Sequence, residues 1–215
     1  SKPMRDITVP FISFLRGQKL EHTARQIYGD TRIEDLWRPF FCISTSLTSA
    51  DQKVHRKGLL FDAIRASTSV PGLVPPAVIN NEILVDGGIM NNLPVSVARQ
   101  FFKGPVIAVD VTEAKLLRIS QNEFPSPWRV LMGRMRPRQK RQMIPGIFDI
   151  MYHSAIVGSQ HRTEHAGRNA DFYLRLPLDQ YKFLDFEAFD KIIETGYRFS
   201  NEKIREWKKQ GLSAY

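Results

Sequence analysis

The run Leu84-Val85-Asp86-Gly87-Gly88-Ile89-Met90-Asn91-Asn92 sets a carboxylate at the end of an apolar stretch and follows it with two glycines. An aspartate at the tip of a strand is where open α/β sheets display reactive groups. Glycines beside it let backbone or substrate approach closely, because neither carries a Cβ. A carboxylate in such a place can take a proton from a nucleophile if its surroundings are dry enough to raise its basicity. The same Asp-Gly pair is also an ordinary turn signal, so the motif alone leaves both readings open.

A second group with chemical promise is His161-Arg162-Thr163-Glu164-His165. Two histidines four residues apart on one helix face, with a glutamate between them, fit an inverted zinc-protease pattern. Zinc needs a third protein ligand, and no downstream acidic residue stands in a recognisable second motif. An exposed polar helix end explains the same residues.

The elements that must carry these groups alternate between helix and strand patterns, which argues an α/β domain. Helices are predicted over 19–28 (Leu20, Ala24 and Ile27 on one face), 59–67, 93–102, 145–165 and from Phe186 onward. Strands are predicted over 40–47, 106–111 and 171–176, and a hairpin over 77–79 and 82–85 around Asn80-Asn81. The run Val106–Val111 is nearly all apolar, as a strand buried on both faces would be. In the last helix Phe186, Phe189, Ile193, Tyr197, Ile204 and Trp207 form one apolar stripe, read as core packing.

Composition narrows the class. The 215 residues carry 42% hydrophobic and 25% charged residues, the balance of a folded globular protein rather than a disordered one. One cysteine, Cys42, excludes an intrachain disulfide and a cysteine zinc cluster. No apolar run approaches the roughly 18 residues of a spanning helix. Lys and Arg outnumber Asp and Glu by 31 to 22, a net +9. Between 129 and 168 eight basic residues face only Asp149 and Glu164. Arg134, Arg136, Arg138, Lys140 and Arg141 fall within eight residues, with Met132, Met135 and Met143 nearby. Cations mixed with apolar side chains suit an anionic membrane surface; a plain solvated loop is the other reading. Nucleic acid is not expected, because no aromatic RNA-binding motif or zinc knuckle is present.

Five blocks then recur in a telling order. They are Ile33-Glu34-Asp35-Leu36-Trp37, Val54-His55-Arg56-Lys57-Gly58, Arg65-Ala66-Ser67-Thr68-Ser69-Val70-Pro71-Gly72 with Pro75-Pro76, Val85-Asp86-Gly87-Gly88, and Asn91-Asn92-Leu93-Pro94. In this order and spacing the chain resembles the patatin-like phospholipases, best the neuropathy-target-esterase branch and its bacterial relatives. The resemblance is strong from about Asp6 to Val111 and weaker beyond. It implies a three-layer α/β/α sandwich lacking its N-terminal strands. Residues 1–112 would be the C-terminal part of the catalytic domain. Residues 113–215 would add a basic excursion, then helices and a strand packed on the same domain.

The resemblance further implies a serine acyl hydrolase acting on phospholipids or lysophospholipids through a Ser–Asp dyad. Asp86 takes the place of the base, Gly87, Gly88, Asn91 and Asn92 that of its loop, and no metal or organic cofactor is implied. The serine belongs in a G-x-S-x-G elbow, and that pattern occurs nowhere in these 215 residues. The nucleophile and the glycine-rich oxyanion loop are expected upstream of Ser1, so the chain alone is expected to be inactive. Ser44, Ser46, Ser49, Ser67 and Ser69 are not framed by the glycines of an elbow. Ser67 and Ser69 are expected to brace the turn near Asp86. The alternative function is a non-catalytic lipid- or membrane-binding module on the same scaffold. The expected location is cytoplasmic and peripherally membrane-associated.

Overall fold

The computed structural model describes residues 13–112, 126, 147–181 and 186–209. The basic run 134–141 and most of the expected excursion lie outside them. The fold is mixed α/β. Its first half is an antiparallel sheet of four strands in the order β2-β1-β4-β3, with β1 Cys42–Ser46, β2 Asp51–His55, β3 Ala77–Ile79 and β4 Glu82–Asp86. Helix α1 (Gln18–Tyr28) and α2 (Leu60–Ser67) belong to the same half.

The β3–β4 hairpin follows from its turn. Asn80 and Asn81 both adopt positive φ, +51° and +62°. Two left-handed residues in a two-residue turn match the right-handed twist of the flanking strands, and asparagine tolerates that conformation. The turn sets Ala77 opposite Leu84. These two pack with Ala66 of α2 in a buried cluster, with Ile79 at its border. A second cluster, Ile33, Leu60 and Ala63, fixes the other end of α2 against the partly buried Tyr28, Leu36 and Cys42.

The second half is smaller. β5 (Ile107–Asp110) runs parallel to β6 (Phe172–Arg175). Between them in the chain lies α5 (Ile147–Arg168), and after them comes α6 (Phe189–Lys209). A one-turn helix, α3 (Gly88–Asn91), and α4 (Val95–Phe101) join the halves. Leu93, Val95 and Ala108 form the core here, flanked by Val106, Ala166, Ala170 and Tyr173. Tyr173 also donates its hydroxyl to Asp110 at 2.9 Å, and burial beside that carboxylate lifts the phenol pKa to about 12.

Three expectations need correction. β5 is not buried on both faces: Ala108 and Asp110 point inward, while Ile107 and Val109 are 49% and 45% exposed. The alternation of a strand decides this; its run of β-branched and small apolar residues hid the two-sided pattern. In α1, Ile27 faces solvent. The stripe of α6 is divided. Trp207 stacks on Phe172 with ring centroids 4.6 Å apart, but Phe189, Ile193 and Tyr197 are exposed.

Candidate functional site

Asp86 is the last residue of β4, and four local facts fix it. Its backbone N–H donates to the Ser69 carbonyl at 2.9 Å. Ser44 of β1 stands directly across from it. Its Oδ1 accepts the Gly88 N–H at 2.7 Å. Its other carboxylate oxygen has no hydrogen-bond partner among the described residues. Burial pushes the carboxyl pKa above its ordinary 3.8, with the Gly88 N–H pulling the other way. One oxygen is therefore held, on a carboxylate made more basic than usual.

The glycines are there for close approach. A Cβ on Gly87 would lie 2.3 Å from the Ile43 carbonyl oxygen, inside any allowed contact. A Cβ on Gly88 would lie 3.1 Å from Asp86 Oδ1 and 3.2 Å from Asn92 Oδ1. The turn after Asp86 therefore rests on β1 backbone on one side and on its own polar groups on the other.

Asn91 and Asn92 tie that turn outward. Asn91 Nδ2 donates to Gln52 Oε1 of β2 at 3.0 Å, and Asn92 Nδ2 donates to Thr112 Oγ1 beyond β5 at 2.8 Å. All five motif residues are thus gathered in one turn. The basic residues Arg134, Arg136, Arg138, Lys140 and Arg141 lie outside the described residues.

Two supports were not legible as such. Arg65 of α2 donates Nη1 to Ser69 Oγ and Nη2 to the Pro75 carbonyl (the latter at 2.7 Å), while Ser69 Oγ donates to the Arg65 carbonyl at 2.6 Å. This fully buried serine then offers its own carbonyl to Asp86. The second support is Arg162 of α5, which donates Nε to the Met90 carbonyl and Nη2 to the Ile89 carbonyl, both at 2.9 Å. Nothing in the local sequence signals a contact between positions so far apart.

Among the described residues, the buried serines of the strands and turn beside Asp86 do not present a free hydroxyl to its carboxylate. Ser44, Ser46 and Ser69 are fully buried. Ser44 Oγ shares a hydrogen bond with His55 Nε2 at 2.7 Å, and Ser46 Oγ accepts the Ser49 N–H at 3.1 Å. Burial also holds the Cys42 thiol at a pKa of about 11, far from a reactive thiolate. Among the described residues no three His, Cys, Asp or Glu side chains gather as a metal site. Glu164 of the histidine motif pairs instead with Arg175 at 3.6 Å. No helix among the described residues is long and apolar enough to cross a membrane.

The described residues thus set a glycine-flanked carboxylate at a strand end in a mixed α/β fold, and sequence comparison gives the family. Residues 11–99 match the family model of the patatin-like phospholipases. Lysophospholipase NTE1 of Meyerozyma guilliermondii is 34% identical over 210 residues, covering 97% of this chain and 15% of that protein. Lysophospholipase NTE1 of Scheffersomyces stipitis is 35% identical over 208 residues, covering 96% of this chain and 14% of that one. Patatin-like phospholipase domain-containing protein 7 of Mus musculus is 34% identical over 216 residues, covering 98% and 16%. The chain belongs to the patatin-like phospholipase family, in its neuropathy-target-esterase-like branch. It spans about one seventh of the length of these relatives.

Proposed function

We propose that this chain supplies the general base of a lysophospholipase, Asp86, to a serine carried by another stretch of polypeptide. The observation that carries the reading is the carboxylate itself: half-buried, raised in pKa, with Oδ1 tied to Gly88 and the second oxygen without a partner among the described residues. In the reaction that oxygen takes the serine hydroxyl proton as the serine oxygen bonds to the ester carbonyl carbon. The tetrahedral intermediate expels the alcohol, which takes the proton back from Asp86, and an acyl-serine remains. Water repeats the sequence and releases the fatty acid. A positioned base of this kind contributes about 10²–10⁴-fold to the rate.

The relatives named lysophospholipase support a carboxylic ester of a lysophospholipid or phospholipid as substrate. The test is release of fatty acid from lysophosphatidylcholine by the intact protein and by Asp86→Asn. A loss of about 10³-fold is expected; turnover within a few-fold of the parent would overturn the reading.

The mixture of cations and methionines between positions 132 and 143 favours, as a second reading, a lipid-binding module without catalysis. Its docking element would be the basic run Arg134–Arg141, with about 1 kcal/mol contributed by each cation near an anionic surface. Sedimentation with phosphatidylserine vesicles, comparing the parent with a variant in which Arg136, Arg138 and Lys140 are replaced by Gln, tests this. Equal binding by both ends the membrane proposal.

A further inference from the structure

We propose that Arg162 is a positioning residue for the base: it holds the one-turn helix α3 so that the Gly88 N–H stays aimed at Asp86. The inference rests on Asp86 being the base. Helix α3 carries Asp86's hydrogen-bond donor at one end, Gly88, and two carbonyls in need of partners at the other. In a longer helix the Met90 carbonyl would accept the N–H of the residue four along. That residue is Pro94, which has none. A single turn also leaves the Ile89 carbonyl without its helical partner. Arg162 satisfies both with two parallel donors of one guanidinium, 2.9 Å each. A planar fork suits two adjacent acceptors in a way a single ammonium cannot.

The other end of that clamp is rigid. Thr163, next to Arg162, is buried and donates to the Ser159 carbonyl at 3.0 Å, and Ala166 borders the Leu93–Val95–Ala108 core. Among the described residues Arg162 has no carboxylate partner, and its hydrogen bonds go to the turn. Asn91 and Asn92 hold the same turn toward β2 and Thr112; Arg162 is the tie to α5.

Loosening this tie weakens the Gly88 N–H bond, which lowers the Asp86 pKa. The base then titrates higher. On the strands of its sheet and on α2, the charged or titratable side chains besides Asp86 are Cys42, Asp51, Lys53 and Glu82 (these two paired at 2.7 Å), His55, Asp62 and Arg65. His55 is the imidazole among them and burial lowers its pKa toward the acid side, so the profile is read in a His55→Gln background.

The experiment is a pH profile of lysophosphatidylcholine hydrolysis by the intact protein carrying Arg162→Ala, Arg162→Lys or, as a charge-loss control on the same helix, Arg168→Ala. Arg162→Ala is expected to lower kcat at least tenfold with KM within twofold, and to move the acid limb to higher pH. Arg162→Lys, able to reach one carbonyl, is expected to fall between. An unmoved acid limb in both variants, or an equal effect of Arg168→Ala, overturns the proposal. Where thermal melts show Arg162→Ala unfolded, Arg162→Lys decides alone: parental kcat and acid limb overturn it. Asp86→Asn in the same assay separates the failures. If it keeps turnover, the base reading falls. If it is inactive while the Arg162 variants behave as the parent, only this inference falls.

Discussion

Ser44 of β1 stands directly opposite Asp86 of β4, yet its hydroxyl turns to the other neighbouring strand and bonds His55 Nε2 at 2.7 Å. A serine, a histidine and an aspartate thus lie on three adjacent strands without forming a triad. In a working triad the imidazole bridges hydroxyl and carboxylate, and the hydroxyl faces substrate. Here the serine is fully buried and no bond joins the histidine to Asp86. The pair is a structural clasp between β1 and β2. Ser44→Ala should lose about 1–3 kcal/mol of stability, because the half-buried imidazole nitrogen loses its partner. Turnover by the folded variant should stay within a few-fold. Urea melts and fatty-acid release on the same sample check both, and a thousandfold loss of rate without unfolding would make Ser44 a nucleophile after all.

His55 gives that clasp a pH dependence. Burial lowers its pKa below the ordinary 6.5. Between the folded value and 6.5 the unfolded chain binds a proton that the folded chain refuses. Stability therefore rises with pH across that window and levels off above it. His55→Gln should flatten the slope. Melts at pH 5.5 and 7.5 test it: a parent equally stable at both values contradicts the assignment.

For Asp86 the sign is opposite. Its folded pKa is raised, so folding favours the neutral acid. That contribution is present below the ordinary 3.8 and is lost as pH rises through the folded value. Asp86→Asn should therefore raise the melting temperature at pH 7 while cutting turnover by about 10³-fold, the trade expected where function keeps an unfavourable charge half-buried. In the parent, kcat/KM should fall on the acid side at a higher pH than an exposed aspartate would give. A variant that melts lower than the parent at pH 7 would show the carboxylate to be a net structural asset.

The two glycines should separate. Gly87→Ala drives a methyl against the Ile43 backbone, which cannot yield as a side chain can. About 1–3 kcal/mol of destabilisation is expected, as for other overpacked sites. Gly88→Ala meets only side-chain tips, those of Asp86 and Asn92. It should cost less stability and more activity, because the atom displaced belongs to the proposed base. Denaturation midpoints and kcat for the two variants make the comparison, and the reverse order would contradict the contacts described.

These contrasts show what the sequence could display. The hairpin was legible because Asn80-Asn81 is itself a backbone instruction, and α2 because its apolar residues repeat at helical spacing. β2 was not. Asp51–His55 has a single aliphatic residue, Val54, and pairs with β1 on one side only, so it lacks the apolar alternation of a half-buried strand. The Asp86 turn was readable as a motif, but its bracing by Arg65 and Arg162 was not. Arg65 shows in the sequence only within a motif block and Arg162 only within a basic stretch and a histidine motif, and three of their four partners are backbone carbonyls, which carry no signature in side-chain pattern. For the same reason Ser69 was placed near the turn but not its manner of holding Asp86, through a carbonyl rather than a hydroxyl.

The turn of the β3–β4 hairpin offers a stability test that leaves the site's chemistry alone. Asn81 holds φ at +62°, a region where glycine pays no Cβ penalty and β-branched residues are strained. Asn81→Gly should be neutral or stabilising by a few tenths of a kcal/mol, since the Asn-Gly pair is the preferred form of this turn. Asn81→Val should cost about 1–2 kcal/mol, in keeping with the penalty for left-handed backbone in an L-residue. The register that sets Leu84 against Ala77 and carries Asp86 to the strand end depends on this turn, so the valine variant should also lose hydrolytic rate in proportion to unfolding. Melting temperatures ordered Gly, Asn, Val from highest to lowest check the reading; a valine variant as stable as the parent would mean that the turn does not set the register.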